Sequence, residues 1–241
     1  MSALPTRRRF YKEAAAQAVE GGHAVTLDGK PMRTPAGLPL VVPTEALAQA
    51  IAAEWAAVPQ DGEIDPRPMI MMRFVATGLD RVAAQRQAVI DEMVGYGGSD
   101  LLCYRALDPM ELVSRQREGW QPWLDWAART LDAPLVVAQG VMPVAQPETS
   151  LAELRRAVGA YDDLTLSGMH HLTAALGSLV LALAVTAGLL AAEKAAELAD
   201  LDADFQARRW GEDEEATARR RRLRQDILAA AGYLRLLGAI H

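Results

Sequence analysis

Histidines are the first residues to weigh for chemistry, and the chain has four: His23, His170, His171 and His241. Adjacent side chains on a helix project about 100° apart, so His170 and His171 cannot grip one metal ion as an i, i+4 pair would. Cys103 is the single cysteine, and no recognisable partner arrangement marks it as a nucleophile. No Gly-x-Ser-x-Gly elbow occurs. Gly95-Tyr96-Gly97-Gly98 lacks the leading strand and remaining positions of a phosphate-binding loop, so it is expected to be a turn running to Asp100. Asp200, Asp202 and Asp204 alternate by two, which spreads them around a helix as a solvated face instead of converging them as paired acids. No catalytic residue, metal or other cofactor is therefore expected. The alternative reading is a cofactor-independent small-molecule enzyme with an unrecognised site.

The elements that would carry these residues fall into two parts, giving an α+β chain. Residues 1–60 form a small antiparallel β-rich domain with a first helix, and residues 61–241 a larger all-α helical domain. Between Phe10 and Val42, short strands are separated by Glu20-Gly21-Gly22, by the hairpin signal Asp28-Gly29 and by Gly37. Thr44 is a suitable N-cap for a helix with Leu47, Ile51, Ala52 and Trp55 at helical spacing, ended by Pro59. Helical patterns then cover Met69 to Val94, broken near Gly78, and Pro109 to Leu131, with Pro122 expected to break or restart the latter. Trp120, Trp123 and Trp126 share its apolar face. Leu135 to Ala138 is a short strand candidate. Further helices are expected over Ser150–Ala160, Ser167–Leu190, Ala192–Arg209 and Glu212–Leu237. In the last, Glu215 and Arg219 stand at the i, i+4 spacing of a salt-laced exposed helix.

A net charge of −6 is the wrong sign for a surface that tracks phosphates, so nucleic acid is not an expected partner. One cysteine rules out an internal disulfide and suits a reducing compartment, the bacterial cytoplasm or the mitochondrial matrix. The basic cluster Arg7-Arg8-Arg9 is followed by no apolar stretch, so no signal peptide is expected. Leu164 to Ala192 contains no Asp, Glu, Lys or Arg and is long enough to cross a bilayer. Its Ser, Thr and His residues, and the absence of an aromatic belt, favour a buried core helix over membrane insertion. Gly168, Gly177, Ala184 and Gly188 would let neighbouring backbones approach it closely.

Several ordered segments resemble one family. These are Arg9-Phe10-Tyr11-Lys12, Asp28-Gly29-Lys30-Pro31 with Arg33-Thr34-Pro35, Glu54-Trp55, Asp80-Arg81-Val82, and Asp100 to Arg105. Leu166 to Met169 with Gly177-Ser178-Leu179, and Phe205-Gln206 with Arg209-Trp210-Gly211, complete the set. Together they are similar to the ATP12-type F1-ATPase assembly chaperones. The resemblance implies a β-rich domain followed by a helical one, no cofactor and no catalysis. It also implies a partner, the free α subunit of the F-type ATP synthase, whose β-facing surface the chaperone would shield, with the chain monomeric when free. Partner-binding positions carried over by the resemblance are Asp202, eight residues before the Trp-Gly pair, together with Trp210, Glu214 and Trp55. Trp55 is equally expected as a helix anchor in the core.

Overall fold

The structure, a computed structural model, describes residues 8–140, 142, 144–211 and 213–240. Arg7, Glu212 and His241, singled out above, lie outside the described residues. The chain opens with β1 (Ala14–Val19) and β2 (Gly22–Leu27), antiparallel with Ala14 opposite Leu27. β2 also pairs with β3 (Lys30–Pro31) and with β4 (Val41–Val42). The Asp28-Gly29 turn has positive φ at both residues, the backbone that a tight hairpin requires. Asp28 accepts from the backbone N–H of Lys12 and Glu13, fixing the chain that enters the sheet.

Helix α1 (Glu45–Ala56) starts at Thr44, whose Oγ1 accepts from the Leu47 N–H as expected. Its buried Leu47, Ala48, Ile51 and Ala52 form the stripe that packs on β1 and β2. Arg9 closes the far end by donating to the carbonyls of Ala56, Val58 and Lys12. Tyr11 donates its hydroxyl to the Trp55 carbonyl at 2.6 Å.

Helix α2 (Ile70–Ala76) runs into a π-helical segment, Thr77–Val82, which is the irregularity expected near Gly78. Helix α3 (Arg86–Gly98) absorbs Gly95 to Gly98, correcting the expected turn. The reason is close packing: a Cβ on Gly97 would stand 2.8 Å from Leu154 Cδ1. β5 (Tyr104–Arg105) pairs in parallel with β6 (Ala138–Gln139), so the short strand begins at the end of the stretch expected for it. This pair adds a small sheet to the otherwise helical second part.

Helix α4 (Met110–Thr130) continues through Pro122 without the expected break. Buried Trp120, Leu124 and Ala127 hold it to the core across the hydrogen bond that Pro122 cannot donate. Trp123 and Trp126 are only partly buried.

After α5 (Glu148–Gly159), the charge-free stretch folds as two helices instead of one, α6 (Asp163–Leu176) and α7 (Leu179–Thr186). Gly177 sits between them at φ +63, and Ser178 caps α7 by accepting from the Leu181 N–H. Every residue of α7 is buried. Among the described residues no helix is long and apolar enough to cross a membrane. The span expected as Ala192–Arg209 is also divided, into α8 (Ala192–Ala199) and α9 (Leu201–Trp210), with Asp200 at the joint. Helix α10 (Glu214–Leu237) closes the fold against α6.

Candidate functional site

Helices α4, α8, α9 and α10 meet around a face lined by Asp200, Asp204 and arginines of α10, and Asp202, Trp210 and Glu214 are not among its lining residues. Asp202 is half-buried, and its Oδ1 accepts from Gln116 Nε2 at 2.7 Å. Gln116 is itself buried in α4, and its Oε1 accepts from the Ala106 N–H. Arg105 is buried beside them, donating to the carbonyls of Leu102 and Gln116 with its guanidinium over the Trp120 ring. Burial pushes the Asp202 carboxyl above its ordinary range, against the lowering pull of Gln116 and Arg105. Its Oδ2 accepts no hydrogen bond among the described residues. Asp202 therefore fastens α9 to α4 and keeps one oxygen unused.

Asp200 and Asp204 behave differently from the solvated face expected of them. Arg220 of α10 donates to both oxygens of Asp200 and reaches Asp204 at 3.4 Å. Arg208 also pairs with Asp204, at 2.8 Å. The basic run thus reaches across to α9, where lateral pairs along one helix were expected. The signal for this was in the spacing, since Thr217, Arg220, Arg221, Arg224 and Ile227 recur at one helical face.

That face walls an open groove of about 930 Å³. Pro122, Trp123, Leu201 and Leu223 supply apolar surface. Arg115, Lys194, Arg208, Arg220, Arg221 and Arg224 supply six cations, against the carboxylates of Glu118, Glu197, Asp200 and Asp204. Arg115 pairs with Glu111, and Lys194 with Glu197. Arg221 and Arg224 are exposed and form no ion pair among the described residues. Sequence reasoning did not single out this groove, because residues from four helices build it.

Trp210 ends α9 with 72% of its surface exposed, the Arg209 guanidinium 6.0 Å from its ring, and Gly211 closing the helix. Glu214 is exposed in the first turn of α10, where a carboxylate suits the helix dipole. Trp55 stands elsewhere, half-buried on α1 against the Tyr11 ring at 5.7 Å, its indole N–H buried without an acceptor among the described residues. Its neighbour Glu54 is the better explained half of the Glu-Trp pair. The Glu54 carboxylate accepts from the Met71 and Met72 N–H groups and caps α2, and burial raises its pKa. A second exposed apolar group, Leu107, Met110, Val136 and Val137, flanks the β5–β6 pair.

The groups weighed first for catalysis are scattered. Cys103 is buried, with its thiol pushed up to about 12 by burial, so it supplies no thiolate. His170 Nε2 lies 3.1 Å from Glu92 but without hydrogen-bond geometry, while His171 stands edge-on to Phe74, its pKa lowered by burial. Among the described residues no cluster of three His, Cys, Asp or Glu could hold a metal ion.

An open groove, an exposed tryptophan and internally satisfied acids suit a protein that holds a partner. Residues 8–128 match the family described as ATP12 chaperone protein. The crystal structure of Atp12 from Paracoccus denitrificans superposes with a TM-score of 0.89 at 44% identity, over 95% of this chain and 98% of that one. The Atu1473 protein of Agrobacterium tumefaciens gives 0.87 at 43% identity, over 97% and 87%. The mitochondrial protein atp12 of Schizosaccharomyces pombe is 24% identical over 223 residues, 88% of this chain and 76% of its own length. The chain belongs to the ATP12 chaperone family. It is a chaperone of F1-ATPase assembly and not an enzyme.

Proposed function

We propose that the protein binds the free α subunit of the F-type ATP synthase and shields the surface that later meets β. A subunit destined for a hexamer exposes apolar area before its neighbours arrive, and such area aggregates unless covered. Family membership supports the reading. The observation that carries it is Trp210: a large aromatic side chain left exposed at the end of a helix whose other side is fastened by Asp202 and Phe205. Tryptophan is among the side chains enriched at the energetic centres of protein interfaces. In this reading Asp202, Trp210 and Glu214 contact the client, Trp55 supports α1, and the free chain is a monomer. It acts in the bacterial cytoplasm or the mitochondrial matrix.

The test is co-elution of purified α subunit with this chain on a sizing column, followed by addition of β. The expected result is a soluble complex that β dissociates. An α subunit that elutes alone in the presence of excess chain would refute the assignment.

A further inference from the structure

The groove has a charge pattern that the chaperone reading leaves unexplained. Its cations outnumber its carboxylates six to four in a chain of net charge −6. Asp200 and Asp204 are already neutralised by Arg220 and Arg208, and Glu197 by Lys194. Of the charges left over, Glu118 accepts from the Ser114 hydroxyl within α4, and the cations lie on α10, where Arg221 and Arg224 stand one turn apart on the groove side and pair with nothing among the described residues. Apolar surface from Trp123, Leu201 and Leu223 lines the same groove. Leu223 is exposed although it borders the groove. Bare arginines beside an uncovered apolar floor are half of an interface: they lack carboxylates, and the floor lacks side chains to exclude water.

We infer that the groove docks an acidic amphipathic helix of the client protein, with apolar side chains on the floor and carboxylates against Arg221 and Arg224. A trough walled by helices accepts a helix by its apolar stripe at i, i+3, i+4 and i+7. The cationic rim selects carboxylates beside that stripe and repels basic helices, which gives discrimination as well as encounter rate. The inference deepens the chaperone reading and rests on it, since it states which chemistry in the client is recognised.

The probe is a synthetic fluorescein-labelled peptide with leucines at helical spacing flanked by glutamates, titrated by anisotropy. The wild-type chain should bind it saturably and more weakly as salt rises. The double variant Arg221→Glu, Arg224→Glu should bind at least about tenfold more weakly. Its circular dichroism should be unchanged, because neither side chain makes an ion pair among the described residues. No binding, equal binding to poly-glutamate, or a double variant that binds the peptide as well as wild type would overturn the groove assignment. Capture of isolated α subunit separates the two ideas. If wild type and double variant capture it equally, the groove inference falls and the function stands. If wild type captures none, the function falls, and the peptide titration still decides what the groove accepts.

Discussion

Two aspartates illustrate how far a carboxylate's meaning depends on its neighbours. Asp202 holds Gln116 through one oxygen and leaves the other unused, so one side chain fastens α9 and still presents a spare acceptor. Asp202→Asn keeps an acceptor for Gln116 Nε2 and should change unfolding free energy by less than about 1 kcal/mol. If the free oxygen meets a client cation, the same variant should weaken α-subunit binding by about 2 kcal/mol or more. Unaltered affinity in a titration would confine Asp202 to fastening α9. Asp100 is fully buried and accepts from the N–H groups of Leu102 and Val180, which ties the turn before β5 to the start of α7. Burial outweighs those donors and raises its pKa from 3.8 to about 6. The folded state therefore binds this proton more tightly than the unfolded chain. Its contribution to stability is smallest above pH 6 and grows as the pH falls through 6 toward 3.8. Between pH 7 and pH 5 the gain is about 1 kcal/mol from this group. Urea unfolding should show that gain in wild type relative to Asp100→Asn; parallel pH profiles for the two proteins would refute it.

Helices α6 and α10 pack closely against each other, and glycine permits it. A Cβ on Gly168 would stand 2.8 Å from Tyr233 Cδ1 and 2.9 Å from Leu234 Cδ2. Tyr233 cannot yield, because its ring stacks on Phe74 and its hydroxyl donates to the Leu164 carbonyl. Gly168→Ala should therefore destabilise by about 1 to 2 kcal/mol, the crowding exceeding the gain in helix propensity. A chemical denaturation midpoint equal to or above wild type would show that the helices can part without cost. Small residues in this stretch were legible in the sequence as close approach, and so were the Asp28-Gly29 hairpin and the Thr44 cap, because each depends on adjacent residues. The break at Gly177 was not, since a glycine that allows packing and one that ends a helix look alike until φ is known. The groove and the anchoring of Asp202 were illegible for another reason. Gln116 and Asp202 lie 86 positions apart, and Arg220 meets its aspartates from a different helix. No periodicity rule reaches across such separations.

At the scale of the molecule, the question is whether residues 1–60 and the helices beyond behave as separate units. The contacts argue for one. A single apolar core runs from Tyr11 to Leu237 and includes Val25, Ile51, Met93, Leu172 and Leu234. Thr44 donates to the carbonyl of Leu236 across 192 positions, and Glu54 of α1 caps α2. Asp80 accepts from the Thr34 hydroxyl and the Ala36 N–H, tying the sheet's connecting loop to the π-helical segment. Removing either part would strip apolar surface and leave buried polar groups such as Glu54 and Thr34 without partners, each loss costing about 1 to 3 kcal/mol. The chain should therefore unfold as one cooperative unit. Native-state hydrogen exchange gives the direct measure: amides of β2 and of α7 should open with free energies within about 1 kcal/mol of each other. A fragment of residues 1–60 should show no protected amides on its own. Protection in that fragment, or β2 opening well below α7, would establish two independent domains joined at residue 60. That outcome would also change the account of client capture, because a β-rich unit free to swing could close over a bound helix, whereas a single core presents the groove already formed.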